Sequence, residues 1–342
     1  TLGGANNEAS AEGRLIAVTA GDTVQRTIET GHAAAVSQLL LRDRVLCVLF
    51  ADGSLSAMTL KGQRIWRDTL QHAPTAALLL WHDAVIVPTE QVATAYALSD
   101  GHLQWELRTA GEVTSLVADD AGLFASVSAG QFGTPDTILR VDAKGTVTAR
   151  LPLAGRITSN LTLLGEDHHT LACGIVEGTG AAKRPVLAVL ATDQSGCRTV
   201  RRHEVPYFIN AVGASRDRII TSGFRDVGGE LISGVDAFDL KDTAHLWSRR
   251  FTEPMLTPVA VGDGSLYLTL TFSSDAIVAS RGLFYTLSAS SGKTLQEQAL
   301  SGAVDGFVPG MPMPDEAGRL MLADRGRAVI HLIDRSVYHR LF

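Results

Sequence analysis

Short runs of alternating apolar and polar residues, separated by turn residues, make up almost the whole chain. Ahead of Trp105, for example, come TAALLLW, AVIVPT and VATAYAL, and LQWELRT contains the tryptophan itself. Alternation over about four to eight residues is typical of a strand with one buried face, and turn signals separate successive strands. Sustained apolar periodicity of about 3.6 residues is nearly absent, so the sequence predicts an all-β fold with almost no helix.

One phrase recurs along the chain: a strand, a polar turn with glycine, and a second strand with an aromatic residue four positions after the glycine. The clearest copies are SAMTLKGQRIW, ending at Trp66, and AYALSDGHLQW, ending at Trp105. Weaker copies end at Ala149, Val200, Trp247 and Gln296. The six positions are 39, 44, 51, 47 and 49 residues apart. A repeat of about 40–50 residues that contains four strands is typical of a β-propeller blade.

The repeats predict that residues 13–342 form a single seven-bladed β-propeller of four-stranded blades. The predicted blades span residues 34–70, 74–109, 113–153, 156–204, 206–252, 256–300 and 303–342. Two further strands, RLIAVTA and TVQRTIET, precede them. The simplest closure lets this N-terminal segment supply an outer strand to the last blade, whereas a distorted extra blade would make eight.

The tryptophan of the phrase has a large apolar surface that suits the interface between neighbouring blades. We therefore expect Trp66, Trp105 and Trp247 to be largely buried there, each near the end of the outermost strand of its own blade.

These repeats resemble those of the PQQ-like (quinoprotein-like) β-propeller superfamily, whose repeats run from an Ala/Leu-rich strand through a polar turn with glycine to a tryptophan. The resemblance covers nearly the whole chain and is strongest at Trp66 and Trp105. In size the chain is similar to the BamB-like outer-membrane assembly lipoproteins. That resemblance implies a non-enzymatic protein-binding scaffold of the cell envelope, whose partner is an envelope or membrane-protein complex.

The quinoprotein dehydrogenases of the superfamily carry adjacent cysteines over their cofactor. Here the nearest pair, Cys173 and Cys197, are 24 residues apart, so the resemblance does not extend to the PQQ site. A ligand- or carbohydrate-binding sensor propeller is the alternative function, and a PQQ-dependent dehydrogenase ranks below both.

Composition narrows the choice of partner and location. With 45% apolar and 19% charged residues, the chain has enough material for a large core. The net charge is −6 and no basic run exceeds the pairs Arg201-Arg202 and Arg249-Arg250, so a nucleic-acid partner is not expected. No apolar run reaches the roughly 18 residues that span a bilayer. Residues 1–12 are small and polar, which fits a flexible tether after a removed signal or lipid-anchor segment, and we expect a periplasmic or other extracytoplasmic location.

Candidate chemistry is sparse. The cluster Asp167-His168-His169 has metal-ligand residue types, but neighbouring residues on a strand point to opposite faces, so a surface turn is expected there. Neither Gly-x-Ser-x-Gly nor His-Glu-x-x-His occurs. We expect no catalytic residue, no cofactor and no metal.

Repeats three to six are longer than repeats one and two, and the extra residues fall between the second and third strands of each blade. The four segments are AGQFGTPD (129–136), EGTGAAKRP (177–185), FRDVGGE (224–230) and FSSDAIVASRG (272–282), where repeats one and two have only ADGS and TEQ. Equivalent loops of a propeller emerge on the same face, and insertions on one face often mark the binding face.

The enlarged segments contain aromatic, arginine and acidic residues, and aromatic and arginine side chains are enriched at interface hot spots. Growth of these loops without a function is the alternative. The candidate partner-binding residues are Phe132, Arg184, Arg225, Asp226, Phe272 and Asp275.

Overall fold

The computed structural model describes residues 14–18, 24–29, 32, 36–42, 44–50, 52–130, 134–165, 170–179, 182–193, 196–215, 217–228, 230–251, 260–262, 264–272, 281–299, 313–314, 320–324 and 329–333. These residues contain 30 β-strands and no α-helix, as the alternating pattern predicts. The strands form seven sheets. Residues 1–12, Phe132, 167–169 and Asp275 lie outside the described residues.

Six of the sheets are built from consecutive antiparallel strands, one sheet for each of the first six predicted blades. Blades one to three contain β3 (Val36–Arg42), β4 (Val45–Phe50), β5 (Ser54–Thr59) and β6 (Arg64–Thr69); β7 (Leu79–Trp81), β8 (Ala84–Pro88), β9 (Val92–Ala97) and β10 (Leu103–Arg108); and β11 (Glu112–Ala118), β12 (Leu123–Ser128), β13 (Thr137–Val141) and β14 (Val147–Pro152). Blades four to six contain β15 (Gly155–Ile157), β16 (Thr162–Leu164), β17 (Thr170–Glu177), β18 (Arg184–Asp193) and β19 (Gly196–Glu204); β20 (Phe208–Ser215), β21 (Arg218–Val227), β22 (Glu230–Asp239) and β23 (His245–Phe251); and β24 (Ala260–Gly262), β25 (Ser265–Phe272), β26 (Arg281–Ser288) and β27 (Thr294–Ala299). In blade four the first strand is split, because β15 and β16 both pair with β17.

The seventh sheet combines the two ends of the chain. Its strands are β28 (Met313–Pro314), β29 (Leu320–Asp324), β30 (Val329–Ile333), β1 (Arg14–Val18) and β2 (Val24–Glu29). Strand β1 pairs in parallel with β30 and antiparallel with β2, so the N-terminal segment contributes two strands where the sequence predicted one. Both strands extend the seventh sheet, and the count of seven sheets agrees with the seven-blade prediction.

The first strand of each blade lies nearest the centre of the ring. Contacts run from β3 to β7, β7 to β11, β11 to β16, β16 to β20, β20 to β24 and β24 to β28, and β29 returns to β3. Through these contacts each of the seven sheets is joined to the next, and the last sheet is joined to the first. Closure of this kind leaves each blade with a neighbour on both faces.

The core consists of the interfaces between blades. At the first interface, Leu55 and Trp66 of blade one share an apolar cluster with Val85 and Val87 of blade two. Similar clusters lie between the next four pairs of neighbouring blades. Because both faces of a blade are covered, the central strands β8 and β12 are buried along their whole length, whereas the outermost strand β6 buries little except Trp66.

The tryptophans of the repeated phrase lie at these interfaces, against a glycine of the next blade. A Cβ atom built at Gly101 would be 2.7 Å from the Trp66 ring, and the Trp66 Nε1–H donates to the Leu98 carbonyl at 2.9 Å. Trp105 lies over Gly145 in the same way. Trp66 is buried as expected, while Trp105 is only half-buried.

Trp247 repeats the arrangement between blades five and six. Its ring lies over Gly292, and its Nε1–H donates to the Ala289 carbonyl at 3.0 Å. Like Trp105, it is half-buried.

Side-chain amides connect the innermost strands of neighbouring blades. The Asn160 Nδ2 donates to the Val212 carbonyl at 2.8 Å, and its Oδ1 accepts from the Val212 N–H at 2.9 Å. Gln38 makes the equivalent pair of bonds with Ala76 and Leu78 between blades one and two. An amide offers a donor and an acceptor together, so it can satisfy backbone groups that no strand pairs with.

Candidate functional site

The second-to-third strand connections and the links between blades lie on one face of the propeller, which follows from the antiparallel order of the strands. We call this side the loop face. In blades three and four the extra residues lie between strands, at 129–136 and 178–183. In blade five they lengthen the strands, because β21 continues to Val227 and β22 starts at Glu230. The expected loop at 224–230 is therefore a long hairpin whose backbone groups are paired across the two strands.

Two of the predicted partner-binding residues lie at the loop-face ends of neighbouring blades. Arg184 begins β18 of blade four, is exposed, and places its Nη1 3.4 Å from the Glu204 Oε1. Arg225 is exposed near the end of β21 in blade five.

The other candidates divide between described and undescribed positions. Asp226 follows Arg225 in β21, and Phe272 ends β25 in blade six. Phe132 and Asp275 lie outside the described residues, as does the cluster 167–169.

A hollow of about 530 Å³ opens between blades three, four and five, on the same side as the enlarged connections. Its walls come from the blade-three loop, the start of blade four, the blade-four hairpin and the first residue of β20. The lining residues are Thr134, Pro135, Ala154, Gly155, Arg156, Ile157, Thr158, Val176, Gly178, Thr179, Lys183 and Phe208.

Asp136 fixes the position of two of these walls. The side chain is buried, its Oδ1 accepts from the Ala129 N–H at 3.1 Å, and its Oδ2 accepts from the Ile157 N–H at 2.7 Å. The Asp136 N–H donates to the Gly155 carbonyl at 3.2 Å. One carboxylate thus ties the blade-three loop to the innermost strand of blade four.

Replacing Asp136 with alanine should lower the free energy of unfolding by about 2–3 kcal/mol, since two half-buried backbone N–H groups lose their buried, charged acceptor. Asp142→Ala is the matched control, because Asp142 also accepts from two backbone N–H groups but lies in an exposed turn. Urea denaturation measures both variants. Equal losses in the two variants would contradict the assignment of Asp136 to a buried structural link.

Apolar side chains are exposed beside the hollow. Among the described residues eight large apolar side chains are exposed, and Phe208, Phe224 and Val227 are three of them. All three lie at the loop-face end of blade five. Phe208 and Phe224 are opposite each other on β20 and β21, with ring centroids 6.1 Å apart. Neither Phe208 nor Phe224 was among the site residues that the sequence predicted.

A second, smaller cavity of about 60 Å³ lies on the other side of the same strand end. Its lining residues are Pro206, Tyr207, Gly223, Arg225, Ile232, Gly234 and Arg250. The Arg250 guanidinium donates to buried Asp236 through Nη1 at 2.7 Å and Nη2 at 3.0 Å, and lies 5.5 Å from the centre of the Tyr207 ring. A bidentate contact of this kind fixes the plane of the guanidinium.

Asp236 and Arg250 each stabilise the charged form of the other. Burial alone would raise the pKa of Asp236, but the hydrogen bonds from Arg250 and Ser248 hold the pKa of that carboxyl below its usual value. The same contact with Asp236 raises the pKa of Arg250. Burial and the nearby Asp236 raise the pKa of Tyr207, so its phenol stays protonated and is hydrogen-bonded to the Thr221 hydroxyl at 2.6 Å.

The remaining candidate chemistry concerns metal ligands and cysteine in the described part of the chain. Within it, no group of three or more His, Cys, Asp or Glu side chains is placed to hold a metal ion. Burial raises the pKa of the Cys47 thiol to about 12, so this thiol stays protonated. Over the same residues, no helix has the length and apolarity to cross a membrane.

Comparisons with known proteins support the fold. No protein-family model and no curated protein matches the chain. The solved WD40 domain of Neurospora crassa Pan2 is similar with a TM-score of 0.62 and 16% identity, covering 87% of this chain and 88% of that one. Hydrazine synthase of Kuenenia stuttgartiensis has a TM-score of 0.61 and 14% identity, covering 74% of each chain.

The computationally designed Ika8 protein is also similar, with a TM-score of 0.56 and 12% identity over 88% of this chain and 96% of that one. WD40 domains are β-propellers. Similarity at these identities shows the fold alone, and together with the closed ring of sheets it shows that the chain is a β-propeller.

Proposed function

We propose that this propeller is a non-enzymatic scaffold that binds a protein partner on its loop face, at blades three to five. The observation that carries the proposal is the pair of exposed aromatic side chains, Phe208 and Phe224, beside the hollow. Val227, Arg184 and Arg225 are exposed at the same end of blades four and five. Contiguous apolar surface with a polar rim is typical of interaction sites. Aromatic and arginine side chains carry much of the binding energy at protein interfaces.

A finer proposal concerns the partner and the location. The resemblance of the repeats to the PQQ-like superfamily supports a BamB-like scaffold of the cell envelope, with an envelope or membrane-protein complex as its partner. In that case the native protein should fractionate with the periplasm or another extracytoplasmic compartment. Recovery of the native protein in the cytosol would contradict the envelope location and leave the binding proposal standing.

Site-specific photocrosslinking tests the binding face. A benzophenone amino acid at position 184 or 225 should crosslink a protein partner in cells. The same amino acid at position 144 is the control, because Lys144 is exposed in a third-to-fourth strand turn on the opposite face. Crosslinks from position 144 alone, or from none of the three positions, would contradict the proposal.

A small-molecule or carbohydrate ligand is the second candidate, and the size of the hollow favours it. A volume of about 530 Å³ falls within the roughly 300–1,000 Å³ of typical ligand sites. A glycan array and a thermal-shift screen of small molecules test this function. A ligand that raises the melting temperature of the wild type, and not that of a variant with Thr179→Trp at the hollow, would favour it over the scaffold.

A further inference from the structure

The two cavities of the loop face meet at one strand end. Pro206 and Tyr207 line the small cavity, and Phe208, the next residue, lines the large one. Consecutive Cα atoms are about 3.8 Å apart, so one extended chain laid across this strand end can reach both cavities.

The two cavities offer different chemistry. Apolar groups of Pro135, Ile157, Val176 and Phe208 line the hollow and suit an apolar side chain. Arg225 and Arg250 line the small cavity, and no acidic residue is among its described lining residues. A guanidinium group suits a carboxylate. Because Asp236 already binds Arg250, Arg225 is the cation whose charge a partner could compensate.

The net charge of −6 of the whole chain does not lie in the two blades around the small cavity. Residues 155–251, which make up blades four and five, contain 12 Lys and Arg against 11 Asp and Glu. At the loop-face end, the carboxylate of Glu177 is paired with Arg202 and that of Glu204 with Arg184.

Arg225 differs from these arginines. Among the side chains that the structure describes, which do not include those of Asp226 and Glu230, none forms an ion pair or hydrogen bond with Arg225. Arg225 is exposed and lines the small cavity. An acidic group of a partner would complement this cation.

The small cavity is held in shape before a partner arrives. Asp236 and the Tyr207 ring fix the Arg250 guanidinium. A Cβ atom at Gly234 would lie 2.5 Å from the Arg250 Nη1, so only glycine leaves room for this position of the arginine. Preorganised donors of this kind bind with less loss of conformational entropy.

We propose that the loop face binds one extended acidic segment of its partner, with an apolar side chain in the hollow and a carboxylate against Arg225 and Arg250. This rests on the proposed scaffold function and names the chemistry of the partner. At a rise of about 3.3 Å per extended residue, the apolar residue and the acidic residue are about one to three positions apart.

Synthetic peptides test the proposal. The probes are fluorescein-labelled ten-residue peptides of Gly and Ser that carry one Phe and one Asp, one, two or three positions apart. Fluorescence anisotropy should show binding at one of these spacings. In that peptide, exchanging Asp for Lys or Phe for Ser should weaken binding at least about tenfold.

Variants of the protein locate the binding. Arg225→Glu should weaken binding of the best peptide at least about tenfold, and Thr179→Trp, which places a bulky ring at the hollow, should weaken it as well. Arg64→Glu is the matched control, since Arg64 is exposed at the start of β6 near the opposite face, and it should leave binding unchanged. Circular dichroism and melting curves confirm that each variant is folded.

Two results would overturn the inference. One is that no peptide binds, whether or not a ten-nucleotide oligothymidine binds in an Arg225-dependent way. The other is that Arg64→Glu weakens peptide binding as much as Arg225→Glu. If crosslinks still form from positions 184 and 225, the scaffold proposal survives either result and only the acidic segment is rejected.

Discussion

Replacing Trp66 with alanine is expected to lower the free energy of unfolding by about 3–5 kcal/mol. The indole is buried between blades one and two, in one cluster with Leu55 and Val85. Its Nε1–H is the donor to the Leu98 carbonyl, which the truncation leaves without this partner. Because a domain has only about 5–15 kcal/mol of stability, urea denaturation should show a clear fall in the midpoint.

Gly101→Ala tests the contact between the Trp66 ring and Gly101 from the glycine. Gly101 has a φ of +76°, and a methyl group there would lie 2.7 Å from the Trp66 ring. The left-handed backbone costs a non-glycine residue about 1–2 kcal/mol, and the clash adds to that. In the double variant Trp66→Ala/Gly101→Ala the clash is gone, so the total loss should be smaller than the sum of the two single losses.

Gly130→Ala separates the backbone cost from the clash. Gly130 has a φ of +70°, but no heavy atom lies within 4 Å of a Cβ built there. This variant should show the backbone cost alone, and its loss should add to that of Trp66→Ala. Additive losses for Trp66 and Gly101 would contradict the proposed contact.

The repeated phrase predicted the fold because alternation and a period of about 40–50 residues are local properties of the sequence. It did not show why the glycine and the tryptophan recur together. The tryptophan ring of one blade packs against the glycine of the next blade, as Trp66 does against Gly101. Blade four has Val200 in place of the tryptophan, so the next blade needs no glycine there. In that next blade, blade five, the equivalent turn contains Thr243, with a φ of +61°, in place of glycine. A contact between the tryptophan of one repeat and the glycine of the next cannot be predicted from a single copy of the phrase.

The site was predicted only in outline. Arg184 and Arg225 could be found because they lie in segments longer than those of the first two repeats. Phe208 was missed because Tyr207 beside it is buried in the core, and only the strand register decides which of two neighbouring aromatic residues is exposed. The hollow depends on where three blades meet, and contacts between distant segments leave no local pattern in the sequence.

The extended hairpin of blade five was also missed for a physical reason. FRDVGGE has two glycines and three charged residues, which is typical of a loop. In the structure the backbone of Phe224 to Val227 pairs with the opposite strand, and only the turn itself uses glycine, at Gly228 with a φ of +67°. Exposed hairpins satisfy their backbone groups by pairing whatever their side chains, so composition alone does not separate them from loops.

Arg250→Met should lower the free energy of unfolding by about 3 kcal/mol, because it leaves the buried carboxylate of Asp236 without its cation. The double variant Asp236→Leu/Arg250→Met should be more stable than the single one, since no uncompensated charge remains. Arg249→Met is the matched control. Arg249 is exposed, donates to the Thr294 hydroxyl at 3.4 Å and lies 5.7 Å from the centre of the Phe251 ring, so its loss should cost no more than about 1 kcal/mol.

The loss in Arg250→Met should depend on pH. In the wild type the pKa of Asp236 lies below its usual value of about 3.9, so the pair contributes stability above that pH, and this contribution is lost as the pH falls through the folded pKa. In the variant only the hydrogen bonds from Ser248 and His245 still oppose burial, so the pKa of Asp236 is higher than in the wild type and protonation relieves the buried charge as the pH falls. The difference in stability between the two proteins should therefore be large at about pH 7 and smaller at about pH 4. Urea denaturation at both values measures it, and an equal difference at the two pH values would show that the arginine stabilises the blade by packing and not by its charge.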